Sequence, residues 1–190
     1  PGPRRIALET PSGAASVDFR VVEALPAAGR AGVGPDDLLY LVLPDRFTDG
    51  DPANNRPPGA EALYDPTRPR HFHGGDFAGV RRRLPYLRDL GVTALWMTPV
   101  HANAPTPHPT LVYDGEPAID YHGYGAVDLY RVSPHFGSLA ELRGLVDDAH
   151  RHGIKVVQDQ VANHVGPLHP WVAAPPTRTW FHARRPCAFR

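Results

Sequence analysis

The stretch Ile154-Lys155-Val156-Val157-Gln158-Asp159-Gln160-Val161-Ala162-Asn163-His164 begins as an apolar strand and ends polar. Alternation along a strand puts Val157, Asp159, Val161 and Asn163 on one side. A carboxylate in that position needs hydrogen-bond partners, so Asp159 predicts a polar network at the C-terminal end of the strand. Such a network serves either a site or the architecture alone. Just upstream, Ser138-Leu139-Ala140-Glu141 has the Ser-x-x-Glu pattern of a capping box. It opens a helix with Leu142, Val146 and Ala149 on one side, ended by Gly153.

The same order of elements recurs towards the N-terminus. Val92-Thr93-Ala94-Leu95-Trp96-Met97 reads as a second buried strand. Before it, Phe77, Val80, Leu84, Leu87 and Leu90 recur at helical spacing, with Asp76 as N-cap and Gly91 as the stop. Pro85 predicts a kink or a first-turn break in that helix. Leu38-Leu39-Tyr40-Leu41-Val42-Leu43, ended by Pro44, predicts a first strand buried on both faces. A long loop is expected from Pro99 to Gly137. Strand, helix, strand, helix, strand implies right-handed parallel crossovers. A doubly wound sheet and a (β/α)8 barrel both satisfy that order. Polar clusters follow each strand, two connections are very long, and no Gly-x-Gly-x-x-Gly run follows a strand, which favours the barrel. The expected fold is therefore α/β, a partial (β/α)8 TIM barrel whose first three β/α units occupy residues 36–166. Residues 1–35 stand apart: Ser16 to Val22 alternates like a strand, and Pro26 to Pro35 reads as a linker.

Composition removes several functional classes. Apolar content of 42% and charged content of 21% belong to a globular chain. Twenty basic and twenty acidic residues leave no net field to recruit nucleic acid or an anionic membrane. No apolar run approaches the ~18 residues of a membrane span. Cys187 is the only cysteine, which excludes an internal disulfide.

Three segments carry candidate chemistry. Asp49-Gly50-Asp51-Pro52-Ala53-Asn54-Asn55, with Gly74-Gly75-Asp76, gathers hard oxygen donors of the kind Ca²⁺ takes. It is not an EF-hand loop, since Asn54 and Ala60 stand where that motif needs Gly and Glu. An ordinary Asx-rich turn has the same composition. Asp120-Tyr121-His122-Gly123-Tyr124 combines aromatic faces, which suit the C–H faces of sugar rings, with hydrogen-bonding groups; packing tyrosines are the plainer alternative. The third is the Asp159–His164 strand end. His71 and His73 lack the Glu or Cys spacing of a zinc site and read as loop histidines.

The order of these segments carries a resemblance. Leu43-Pro44-Asp45-Arg46-Phe47-Thr48-Asp49-Gly50-Asp51 resembles the first barrel strand and loop of α-amylase-family glycoside hydrolases, closest to the neopullulanase, cyclomaltodextrinase and cyclodextrin glycosyltransferase group. Gly74-Gly75-Asp76-Phe77, Tyr121-His122-Gly123-Tyr124 and Asp159-Gln160-Val161-Ala162-Asn163-His164 are similar to that group's first helix, aromatic subsite motif and first signature. The likeness covers residues 38–182. It implies Ca²⁺ held by Asp49, Asp51, Asn54, Asn55, the Gly74 carbonyl and Asp76, and a second, central Ca²⁺ ligated by Asn163. It implies that Tyr124 stacks on the substrate sugar, that His122 and His164 hydrogen-bond it, and that Asp159 supports the site. Gly125 departs from the aromatic residue many relatives carry there. The strand before Pro35 fits the tail of a β-sandwich domain that often precedes the barrel.

The implied activity is retaining cleavage or transfer of α-glucans (starch, maltooligosaccharide or cyclodextrin), with no nucleic-acid or membrane partner. The family's nucleophile and acid/base lie on its fourth and fifth strands, so no catalytic residue is expected in this chain; both are expected beyond Arg190. Residues 167–190 should begin the inserted domain or form an aberrant tail, with Ala183–Arg190 a truncated or frame-shifted reading. An extracytoplasmic place, periplasmic or secreted, is favoured over the cytoplasm. The alternatives are a non-catalytic amylase-like protein that binds carbohydrate or a partner, and a compact calcium-binding α/β module.

Overall fold

The computed structural model describes residues 2–21, 32–108 and 110–181. Val22, most of the expected linker, His182 and the Ala183–Arg190 tail lie outside these residues. The chain divides into two compact units, Pro1–Pro35 and Asp36–Arg190.

The first unit is a hairpin of β1 (Gly2–Thr10) and β2 (Gly13–Val21), paired antiparallel from Gly2 opposite Val21 to Thr10 opposite Gly13. Sequence reading anticipates only the second strand. Pro3, Arg4, Arg5 and Glu9 dilute the apolar signal of β1, which becomes legible once Ile6 is set opposite Val17. Pairing then collects Ile6, Leu8, Val17, Phe19 and Val21 on one face and places the Arg5–Asp18 ion pair (2.6 Å) on the other.

The second unit begins with β3 (Leu39–Val42), followed by three short 3₁₀ turns and the helices α1 (Phe77–Arg82) and α2 (Leu84–Asp89). Strand β4 (Ala94–Met97) comes next. The expected long loop is in fact structured. It holds β5 (His101–Asn103), the small hairpin β6 (Val112–Tyr113) and β7 (Glu116–Pro117), and β8 (Ala126–Val132), which pairs antiparallel with β5 across two register shifts. Such short or bulged strands leave no clean two-residue period to read. Then come α3 (Leu139–Arg151), β9 (Lys155–Gln158) and the single turn α4 (Pro170–Ala173).

Strands β3, β4 and β9 form a parallel sheet in that order, as the crossover argument requires. Tyr40, Val42, Leu95, Met97 and Val156 share the face covered by the helices. Val42, Leu95 and Met97 join Val80, Leu84, Leu87, Leu142, Leu145 and Ala149 in one core. The opposite face differs from expectation: Leu39 and Leu41 are 41% and 56% exposed, so β3 is buried on one side among the described residues.

Pro85 breaks the first helix as its ring demands, with Arg83 at φ −94° and ψ 0°. Arg83 N–H still donates to the Gly79 and Val80 carbonyls, so the rod stays continuous across the break. Both exits from a helix into a sheet strand use one device. Gly91 (φ 92°) and Gly153 (φ 74°) take left-handed backbone, while Val92 N–H donates to Leu87 O and Ile154 N–H to Ala149 O. These are Schellman closures, each leading straight into a strand. No helix among the described residues is long and apolar enough to cross a membrane.

The Ser138–Glu141 capping box is formed in both directions. Ser138→Ala should therefore destabilise the second unit by about 0.5–2 kcal/mol, read as a lower urea midpoint at unchanged m. His135 stacks on Phe72 with centroids 3.8 Å apart and planes 9° apart. Burial pushes its pKa from 6.5 down to about 4, with a smaller opposing pull from the Asn55 backbone. The unfolded chain therefore takes up this proton first, so the stability tied to neutral His135 is full above pH 6.5 and lost as pH falls towards 4. A thermal melt series over that window should show the decline. His135→Phe should flatten it in part, since burial also lowers His71, His122 and His169.

Candidate functional site

The site is assembled where β4 and β9 end. Asp159 N–H donates to Met97 O (3.0 Å), extending the sheet pairing one residue beyond β9. Trp96 lies opposite Val157 and shares its face with Asp159. Its indole Nε1–H donates to Asp159 Oδ2 (3.2 Å), and the Tyr124 hydroxyl donates to the same oxygen (3.0 Å). The tyrosine pKa is raised by burial, by this hydrogen bond and by the carboxylate charge. One carboxylate oxygen thus joins the inner strand to the segment between β7 and β8.

That segment is held by its own histidines. His122 Nδ1 accepts from Tyr124 N–H (3.1 Å), and His164 Nε2 donates to the Tyr124 carbonyl (3.0 Å). His122, Tyr124, Asp159 and His164 are therefore brought together as expected from their spacing and resemblance. Their geometry refines the roles. His164 spends one ring nitrogen on the Tyr124 backbone, and Asn163 Nδ2 lies 3.4 Å from the other. The His122 ring is tilted 37° against Tyr124 at 5.7 Å, and burial lowers its pKa against the raising influence of Asp120. A neutral imidazole with Nδ1 occupied keeps Nε2–H free to donate. His122, Tyr124 and His164 line a cavity of about 860 Å³, walled also by Ile119, Leu111 and Val165. Apolar faces with a few converging polar groups suit a sugar ring better than an ion.

The oxygen-rich loop lies against the start of α1. Asp76 is its N-cap, accepting from Gly79 N–H (2.6 Å), Gly50 N–H (3.0 Å), Asp51 N–H (2.8 Å) and Asn54 Nδ2 (2.9 Å). Four donors fill the roughly four lone-pair sites of a carboxylate. Asp51 caps the following 3₁₀ turn through Ala53 N–H (3.1 Å). Asn55 Nδ2 donates to Asp49 Oδ2 (2.8 Å), and a Cβ on Gly74 would fall 2.5 Å from Asn55 Oδ1. Buried in the same loop, Asp49 Oδ1, Asn54 Oδ1 and Asn55 Oδ1 have no hydrogen-bond partner. Among the described residues no three His, Cys, Asp or Glu side chains converge as a metal cage. The residues fit a cation through mixed donors, one carboxylate and two amides, with Asp51 and Asp76 acting as turn and helix caps. Asn163 is exposed beside His164 at the far end of the third strand.

Three groups escaped sequence reasoning as site residues. Asp45, 2% exposed, accepts from His73 N–H (2.8 Å) and Gly74 N–H (3.2 Å) and pairs with Arg46. The Arg46 guanidinium lies 4.0 Å from the Tyr121 ring centroid, tying the first strand's loop to the aromatic segment. Trp96 was readable in principle: a tryptophan on the same strand side as Asp159 needs an acceptor for its N–H. Asp45 and Arg46 show no period or spacing signal of their own.

Parallel strands whose polar ends open on an aromatic-walled cavity are the arrangement of a barrel-type α/β enzyme. The chain belongs to the α-amylase family: the α-amylase catalytic domain matches residues 41–187. It is 44% identical to neopullulanase 2 of Thermoactinomyces vulgaris over 68% of this chain and 20% of that protein. It is 38% identical to the cyclomaltodextrin glucanotransferase of Thermoanaerobacterium thermosulfurigenes over 69% of this chain and 18% of that one. The solved structure of an Anoxybacillus α-amylase matches with a TM-score of 0.66 at 36% identity, over 79% of this chain and 29% of that chain. A partial (β/α)8 barrel fits these neighbours. The chain spans about a fifth of the length of the curated relatives it matches.

Because Trp96 and Tyr124 share one acceptor, Asp159→Ala leaves two donors unpaired. It should cost about 1–3 kcal/mol, against about 0.5–1.5 kcal/mol for Tyr124→Phe. A double-mutant cycle by urea unfolding should show the two losses failing to add.

Proposed function

We propose that the whole protein cleaves or transfers α-glucan chains by a retaining double displacement, and that this chain supplies sugar recognition and cation binding to that reaction. The observation that carries this reading is the Tyr124–Asp159 hydrogen bond, flanked by His122 and His164 on one cavity wall. Membership of a family that includes neopullulanase and cyclomaltodextrin glucanotransferase supports the substrate class. In the reading, Tyr124 offers its ring face to a glucosyl unit, His122 donates from Nε2, and Asp159 holds the tyrosine in place. Retaining chemistry needs two carboxylates about 5–5.5 Å apart, and neither role falls to a residue of this chain.

Asp49, Asn54 and Asn55, with the Gly74 carbonyl, would hold Ca²⁺ next to the Asp51 and Asp76 caps, and Asn163 would contribute to a second, central Ca²⁺. A bound cation supplies charge that ties the loop to the start of α1; the chain's own residues do the sugar positioning. Residues 1–35 are read as the end of an N-terminal β domain and its linker. Residues 36–166 are read as the first three barrel units, and 167–190 as the start of an inserted domain or an aberrant tail. An extracytoplasmic location belongs to the same reading.

Two measurements decide it. The whole protein, incubated with maltooligosaccharides or cyclodextrin, should yield reducing ends or transfer products, whereas Pro1–Arg190 alone should yield neither. Binding without turnover by the whole protein would instead identify a carbohydrate-binding relative. Millimolar Ca²⁺ should raise the melting temperature of the chain by mass action, and Asp49→Ala with Asn55→Ala should abolish that rise. An unchanged melt in Ca²⁺ and EDTA would reject the cation site.

A further inference from the structure

Asp120 and Gly125 form a pair whose role is separate from the Tyr-His-Gly-Tyr residues. A Cβ built on Gly125 would fall inside the Asp120 carboxylate, 2.5 Å from Oδ1 and nearer still to Oδ2. The backbone of Gly125 has no room to retreat. A Cβ on Gly166 would overlap the Gly125 carbonyl, and Gly166 N–H donates to Ala126 O (2.7 Å) immediately behind it. The Asp120 carboxylate and a side chain at position 125 therefore exclude one another.

The carboxylate that fills this space lines the 860 Å³ cavity with about a fifth of its side chain (22%) exposed. Among the described residues no donor hydrogen-bonds it. His122 Nε2 lies 3.7 Å from Oδ1, beyond hydrogen-bond range. An ionised carboxylate has room for about four donors and offers none. Ile119 and Val165 give the neighbouring walls an apolar face, and Arg70, His108 and His164 line the same cavity without hydrogen-bonding the carboxylate. A ligand that presents adjacent hydroxyl donors would complete the site.

We propose that Asp120, seated in the notch that Gly125 leaves open, is a specificity-determining residue that accepts hydrogen bonds from vicinal hydroxyls of a glucosyl unit in the cavity. The inference rests on the glucan reading of the same site. It adds a charged acceptor where a bulky residue at 125 would leave only an aromatic wall. Burial raises the Asp120 pKa, and the nearby His122, His108 and His164 offset that rise only in part. Hydroxyl donors to an anion are shorter and stronger than neutral pairs, so the loss on substitution should be measurable.

The test is isothermal titration of maltoheptaose into the full chain and into Asp120→Asn, Gly125→Ala, the double variant and Tyr124→Ala, each with a thermal melt. Asp120→Asn should lose about tenfold in affinity with its melt unchanged. Gly125→Ala should lose a similar factor by displacing the carboxylate, and the double variant should be no worse than the weaker single one. Wild-type affinity in Asp120→Asn, with binding lost in Tyr124→Ala, overturns the proposal and leaves the glucan reading standing. Affinity that falls only in step with the melting temperature assigns Asp120 to the fold and also overturns it. A folded chain that binds no maltoheptaose overturns both.

Discussion

Asp159 Oδ2 accepts from Trp96 on β4 and from Tyr124 in the long excursion between β4 and α3. That shared oxygen is the side-chain tie between the Tyr124 segment and the strand ends, beside its histidine contacts, the Arg46–Tyr121 contact and the antiparallel β5–β8 pairing. The interaction is possible because strand parity sends Trp96 and Asp159 to the same side of the sheet while Leu95 and Met97 go to the core. Core packing and site geometry are thus two consequences of a single register. Shifting β9 by one residue would bury Asp159 among the helices and expose an apolar neighbour.

The first strand's loop obeys a different constraint. Its backbone runs so close to the start of α1 that a Cβ on Gly79 would overlap the Thr48 carbonyl. Two buried carboxylates fasten the contact, Asp45 to the amides of His73 and Gly74, and Asp76 to those of Gly50, Asp51 and Gly79. Most of their donors are backbone N–H groups, joined by Asn54 Nδ2 on Asp76 and by the Arg46 guanidinium on Asp45. The same loop carries the buried, unsatisfied oxygens of Asp49, Asn54 and Asn55. A cation there would meet groups already positioned, with little conformational entropy left to lose.

The aromatic segment is tied to this loop through Arg46, which pairs with Asp45 and lies over the Tyr121 ring. The cation-type loop and the sugar-type cavity are consequently one connected structure. Tyr121 in turn contacts the His122 ring, and His122 that of Tyr124.

Local signals determined the alternation of strands and helices, the Ser138 cap, the Gly91 and Gly153 exits, and the Pro85 break. Each depends on neighbours within a few residues, so composition and spacing suffice to read it. The grouping of His122, Tyr124, Asp159 and His164 was legible through motif order. The partners that position them were not. Trp96, Asp45 and Arg46 act across separations of 63, 28 and 23 residues in the hydrogen bonds they make, and no period marks such contacts. Strand β1 was hidden because its apolar face exists only against β2, and the strands between Pro99 and Gly137 were hidden by their shortness and bulges. Only the tertiary structure placed the Asp120 carboxylate over Gly125, because that contact follows from a backbone pinned by Gly166 and not from either residue's own preference.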